Sequence, residues 1–417
     1  MIKKLYFENF KGFNNSEIPI ESITTLIGTN ASGKTNMIEG MYILSEIMAG
    51  RDIAVVLDGT KNNSGVRGGA KGCCRFDSDY FILGCLVHYD NRVDIEYKVK
   101  IKVTDKILVC RESMSVISNN TKKHMFITRE ANEQSTEIEV DYYFGNASSS
   151  SISCVRSSAI ISQITTKLPQ SNNGKKLIVD YASYIIEKVK NILFLNPETS
   201  SMRNYSSIND TELKVNASNI SSVLNYLTKD KQKENEIQDM LDKLLENEVM
   251  NMTFKKGPLN DVILFLNEKV GKKKEKIDAT RLSDGTLRCL AILAAVMSVN
   301  AADVIVIEEI DNGIHPGRAA MLIKYVSALA RKRGIDILFT THNATLLNSL
   351  EKNDLTGVVI VYRDKKNGDS QFIQLVKISD MPSMLAQGKL GDVYTSDVLL
   401  QYIKEVKKKS DVSWLED

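Results

Sequence analysis

The nine residues "GTNASGKTN", positions 28 to 36, constrain the fold more than any other stretch of the chain. They follow an apolar run, "ITTLI", and precede "MIEGMYILSEIM", whose apolar spacing reads as a helix over 34–48. Gly28, Gly33, Lys34 and Thr35 fit the spacing G-x-x-x-x-G-K-[ST], which belongs to a strand, a loop and a helix in that order. Each residue type has a chemical reason to be there. The two glycines let successive backbone N–H groups curl inward, and the helix opening at Lys34 adds the positive end of its dipole. Lys34 is placed to reach β- and γ-phosphates, and Thr35 offers a hydroxyl to Mg²⁺. Asn30, inside the loop, belongs to the same expected nucleotide-binding set. The chain is therefore expected to be α/β around a loop that holds a nucleoside triphosphate, with ATP and Mg²⁺ as the cofactor pair.

Length and charge narrow the possibilities further. With 417 residues, 43% of them hydrophobic, the chain has material for one large or two moderate cores. Lys and Arg number 54 against 52 Asp and Glu, so the net charge of +2 carries no strong nucleic-acid footprint. The basic runs "GKKKEK" (271–276) and "KEVKKK" (404–409) read first as solvated surface, which leaves nucleic acid as an open partner. No apolar stretch reaches the roughly 18 to 20 residues that span a bilayer, and "MIKKLYFENF" lacks a signal-peptide core. The expectation is a cytoplasmic protein with no membrane partner, in which N-x-[ST] triplets such as those at Asn146 and Asn216 have no glycosylation role. The six cysteines contain no C-x-x-C pair, which argues against a disulfide framework or a zinc ribbon. Cys85 and His88 fall on opposite faces of an extended run.

Three parts are expected along the chain. Residues 1–163 carry the loop and, from about 80 to 143, alternating runs such as "DYFILGCLVHYD" and "RVDIEYKVKIKV" that form an antiparallel β layer. The stretches 60–75 and 146–153 read as loops. Residues 164–275 change to a spacing near 3.6 in "KKLIVDYASYIIEKVKNILF" and "NEIQDMLDKLLENEV", and read as a helical lobe. Residues 276–417 return to alternation: helix 285–299, strand 303–308, helix 317–333, strand 335–340, helix 343–350 and a strand near 357–363.

Chemistry-bearing residues gather in this last part. In "DVIVIEEIDNGIHP" an apolar strand delivers Glu308 and Glu309 to the carboxyl edge of a sheet. Glu308 is expected to hold Mg²⁺ through water, and Glu309 to orient or deprotonate the attacking water. A second strand, "IDILFT", runs into "THN" and brings His342 to the same edge as a γ-phosphate contact. "RLSDGTLRCLAIL" puts Ser283 and Gly285 at a helix start, a second anion-binding terminus. A nucleotide shared between the phosphate loop of one copy and the Ser283 turn of another accounts for two such sites.

Taken in order, "GTNASGKT", "LSDGT", "VIVIEEIDNGIHP" and "TTHN" resemble the ABC-type ATPases of the RecF/SMC/OLD superfamily, and in particular its compact RecF-like ATPases, found in anti-phage defence operons. "FLNPETSSMRNYS", with Met202 and Arg203, is similar to the same group. The resemblance implies an ABC-type P-loop NTPase core with an antiparallel β layer and an inserted helical lobe. It further implies a nucleotide-gated homodimer, with higher oligomers possible, in which Asp311 lies in the D-loop, His342 is the switch histidine and Gln163 couples Mg²⁺ to the helical lobe. Glu308 departs from the superfamily's usual Asp by one methylene. The function expected is an ATP-hydrolysing switch that controls a nuclease or toxin-like effector in anti-phage defence. The alternatives are a DNA-binding repair ATPase and, with less support, a transporter motor subunit.

Overall fold

The computed structural model describes residues 1–61, 63–143, 150–169, 173–245, 248–270, 273–378, 381–386 and 388–395. Asn146, the first two residues of "GKKKEK" and all of "KEVKKK" lie outside them. The chain divides into two units: Met1–Glu21 with Gly28–Ile192 and Ile360–Phe372, and Ser22–Ile27 with Leu193–Val359 and the residues from Ile373 onward.

The first unit is built on an eight-stranded antiparallel sheet that contains Ile2–Phe10 and Phe13–Pro19 at one end and Ser150–Val155 at the other. Period-two alternation explains it. In the strand Val93–Val103, Ile95, Tyr97, Val99 and Ile101 are fully buried, while Lys98 and Lys100 face outward over the rings of Tyr6 and Tyr80, at 4.2 and 3.6 Å. The helix Lys34–Met48 crosses the buried face where it has no side chain: a Cβ on Gly40 would sit 2.3 Å from the Phe7 ring. The strand Ile107–Ser118 was hidden among the alternating runs because a bulge near Cys110 shifts its phase and because Glu112, a carboxylate, occupies a fully buried position.

Two loop expectations are corrected in this unit. Residues 60–75 hold a short strand pair, Gly59–Thr60 with Asn63–Ser64, and a helical turn, Gly69–Cys73, pinned by the Ala70 N–H donating to Asp58 at 2.7 Å. Ser150–Ser153 pair with Glu139–Tyr142 in the sheet. Serine and glycine marked these stretches as loops, but short ladder and cap hydrogen bonds satisfy their backbone.

The second unit contains a parallel sheet in the order Leu193–Leu195, Val304–Ile307, Asp336–Thr340, Ile23–Ile27. The crossover from Val304–Ile307 to Asp336–Thr340 is the helix Pro316–Arg333. Both strands are buried throughout, as the continuous apolar runs require. The helix Asp284–Ser298 is buried along most of its length and shares one apolar cluster with the sheet, from Leu287 and Leu293 to Ile305 and Phe339.

The reading of 164–275 as a helical lobe is corrected here. Asn173–Lys190, Ile220–Leu227 and Lys231–Leu244 are helices, and the first of them belongs to the other unit. Glu248–Lys256, Asp261–Val270 and Lys273–Asp278 form antiparallel strands. "DVILFL" is a short continuous apolar run, for which periodicity does not separate strand from helix. Six free cysteines are present, as expected, and Cys85 is fully buried.

Candidate functional site

The phosphate loop is shaped by its backbone. Gly28 and Gly33 have φ of 153° and 121°, and Ala31 lies in the left-handed region at 60°. A Cβ on Gly28 would come within 2.1 Å of the Val361 carbonyl, so only glycine lets the chain turn there. The helix then opens at Gly33 with no side-chain cap, leaving the first-turn N–H groups without a hydroxyl or carboxylate from the cap position. Thr29, Asn30, Ala31 and Thr35 are exposed. Lys34 is buried, and its ammonium donates to the Gly28 carbonyl at 2.7 Å and the Thr29 carbonyl at 3.0 Å. The loop thus combines glycine-dependent backbone turns, a helix start without a side-chain cap and a buried cation, a combination that suits an anion.

In the second unit, parallel register aligns three strand ends. Leu26 stands beside Thr340, and Phe339 beside Ile307. Ile27 is followed at once by Gly28, Ile307 by Glu308 and Thr340 by Thr341 and His342. Glu309 is held with φ 49°, a strained conformation for a residue with a Cβ. Its N–H donates to Thr340 Oγ1 at 2.8 Å, and its carboxylate accepts from Asn312 at 3.2 Å. Thr341 Oγ donates to Asp311 at 2.8 Å and the Thr341 N–H to the Leu26 carbonyl at 3.3 Å, so the acidic turn and the histidine turn are tied to one edge. Glu308 is half-buried and His342 exposed. Sequence reasoning missed Thr340, Thr341 and Asn312 as the residues that fix Glu309 and Asp311, since hydroxyls at a strand end carry no periodic signal.

The Ser283 turn lies in the same unit. Ser283 Oγ accepts from the Thr286 N–H at 3.1 Å and pairs with Thr286 Oγ1 at 2.8 Å. Arg203 donates to the Leu282 carbonyl at 3.0 Å and to Asp284 at 2.7 Å. A cavity of about 460 Å³ opens there, lined by Arg203, Ser283, Gly285, Gly313, His315 and Arg318 among others. Gly285 approaches the Gly313 carbonyl so closely that a Cβ would sit 3.1 Å from it.

Gln163 has another engagement. Its Oε1 accepts from the Val155 N–H at 2.9 Å and its Nε2 donates to the Val155 carbonyl at 2.7 Å, closing the end of a strand. These are the bonds of a local clamp.

The chain belongs to the AAA ATPase domain family, which matches residues 1–347. It is an ATPase-domain protein, with the nucleotide binding that this implies. Among solved structures it is similar to an SMC head bound to the C-winged helix domain of ScpA, with 12% identity over 89% of this chain and 97% of that one and a TM-score of 0.49. It is also similar to the SMC head domain from Thermotoga maritima, with 13% identity over 89% and 98% of the two chains and a TM-score of 0.43. A third is an Smc head domain with an extended coiled coil, bound to a ScpA C-terminal domain from Pyrococcus furiosus, with 13% identity over 92% and 99% and a TM-score of 0.43. No curated protein matches the sequence significantly. Among the described residues no helix is long and apolar enough to cross a membrane.

Proposed function

We propose that the protein is an ATP-binding and ATP-hydrolysing switch that works as a homodimer. The observation that carries this reading is Glu309, held in a strained turn at the carboxyl edge of the parallel sheet by Thr340 and Asn312. An exposed carboxylate held at an unusual φ by two hydrogen bonds suits a positioned general base. In this reading Lys34 and the loop N–H groups neutralise phosphate charge, Glu309 takes a proton from the attacking water, and His342 contacts the γ-phosphate. Thr35 and Glu308 supply the hard oxygen donors that suit Mg²⁺, with Gln163 assigned to the same ion only if its clamp opens. Mg²⁺, when bound, neutralises charge that develops on the phosphates.

The dimer follows from the second helix start. Each nucleotide is bound by the loop of one copy and the Ser283–Gly285 turn of the other, with Asp311 at the junction. Lys34→Ala and Ser283→Arg proteins are then each inactive alone, and mixing them restores part of the ATPase activity in heterodimers that hold one intact site. Heterodimers confirmed with differently tagged copies but still inactive contradict independent shared sites.

Control of a nuclease or toxin-like effector in anti-phage defence, in the cytoplasm, rests on the family resemblance alone. Copurification with such a protein, whose activity changes with nucleotide state, supports it. The alternative of a DNA-binding repair ATPase draws on the row of Lys98, Lys100 and Lys102 along one face of the strand Val93–Val103. ATP-dependent DNA binding that weakens steeply with salt, without any partner, favours it.

A further inference from the structure

The hairpin formed by Val358–Arg363 and Ser370–Gln374 lies beyond the residues that the family match covers. Its portion within the first unit, Ile360–Phe372, nevertheless packs on the phosphate loop. The Val361 carbonyl fills the space where a Gly28 side chain would stand, and Ser370 fills the space beside Gly33, with its Oγ 2.7 Å from where a Cβ would be. Three contacts fasten this segment in place. The Ser370 N–H donates to the Gly12 carbonyl at 2.7 Å. Phe372 stacks on Phe13 with ring centroids 4.9 Å apart. Asp369, almost fully buried, pairs with Arg75 at 3.0 Å.

One atom in this packing is unaccounted for. Ser370 is fully buried, yet its hydroxyl makes no hydrogen bond among the described residues. Ser32, inside the loop and 1% exposed, is in the same condition. A buried hydroxyl without a partner costs free energy in the state where it is orphaned, and native proteins keep such groups where another state satisfies them. A nucleotide changes the hydrogen bonds of this loop, because a phosphate competes with the Gly28 and Thr29 carbonyls for the Lys34 ammonium.

We propose that Ser370 is a positioning residue for nucleotide binding, whose hydroxyl bonds the Ser32–Gly33 peptide when the phosphate loop closes on a nucleotide. The inference rests on the nucleotide reading of the loop and extends it to a residue outside the motif. It carries a thermodynamic signature that a packing role does not share. Removing the hydroxyl relieves an unsatisfied group in the nucleotide-free protein and removes a hydrogen bond from the bound one.

The test is MgATP titration by calorimetry into the full chain and into Ser370→Ala, together with nucleotide-free thermal melts of both. The alanine fits the space, so nucleotide-free Ser370→Ala melts at or above the wild-type temperature. Its affinity for ATP falls by roughly three- to tenfold, the effect of one hydrogen bond. Affinity within twofold of wild type overturns the proposal. A lower nucleotide-free melting temperature also overturns it, because the hydroxyl then has its partner in the unbound state. Wild-type protein that binds no ATP removes the nucleotide reading itself, an outcome distinct from a binding wild type with an unaffected variant.

Discussion

The helices Lys34–Met48 and Asp284–Ser298 both begin on glycine-containing turns, and they begin differently. The helix Lys34–Met48 opens at Gly33 with no side-chain cap, whereas Asp284–Ser298 opens at Ser283, whose hydroxyl is already bonded to the Thr286 N–H. Ser283 already satisfies one first-turn N–H group of its own helix, whereas Gly33 has no side chain with which to do so. A third helix provides a reference. Ile160–Lys167 also lacks a cap of its own, and Glu112 from a neighbouring strand supplies a carboxylate to the Ile160 and Ile161 N–H groups at 2.7 and 2.6 Å. At Ile160 the chain itself provides the acceptor. At Gly33 it provides a lysine, a difference that supports the proposed phosphate role of the loop.

The contrast is broken most severely at the step after binding. Glu309→Gln keeps the hydrogen bond from Asn312 but not the basicity, so steady-state kcat falls by about 100-fold or more while the ATP Kd stays within about threefold. Near-normal turnover assigns the base elsewhere. Gly28→Ala attacks the uncapped start itself, by forcing a methyl group onto the Val361 carbonyl at an unfavourable φ. Denaturant unfolding is expected to show a loss of about 2–3 kcal/mol, with weaker nucleotide binding. Ser283→Ala sharpens the other side. Losing the cap costs about 1 kcal/mol of stability, and the affinity of an isolated subunit for ATP, measured by calorimetry at low protein concentration, is unchanged.

The reference helix gives the smallest effect. Burial raises the Glu112 carboxyl to about 7, against the two backbone N–H groups that favour its charged form. A raised acid binds its proton more tightly in the folded state, so its contribution is full below the unfolded value and is lost as pH rises towards 7. Thermal melts from pH 5 to pH 8 should show that decline in wild type, and Glu112→Gln should flatten it.

How much of this was legible beforehand differs between the same regions. The loop, the acidic strand end, the histidine strand and the Ser283 turn were readable because each couples a motif to an apolar run of the right period. The strands Val304–Ile307 and Asp336–Thr340 fell within a residue or two of their expected limits. The three strands between Glu248 and Asp278 were not readable, because the apolar run in Asp261–Val270 fits helix and strand alike and the charged Lys273–Asp278 carries no apolar period. Glu112 broke the alternation that would have announced its strand, and its reason for burial is a helix start 48 residues further on. Thr340 and Thr341 at the strand ends, and Val361 and Ser370 against the loop, act through individual backbone or hydroxyl contacts. Such contacts leave no pattern in a sequence.

The most direct measurement of the central claim is calorimetric titration of MgATP into wild type and Lys34→Ala, with thermal melts to show that both are folded. The uncapped helix start with its buried lysine predicts saturable binding by wild type and an affinity at least about 30-fold weaker in the variant, the range expected when a charged hydrogen-bond donor is removed. A folded Lys34→Ala protein that binds ATP as tightly as wild type would contradict the account.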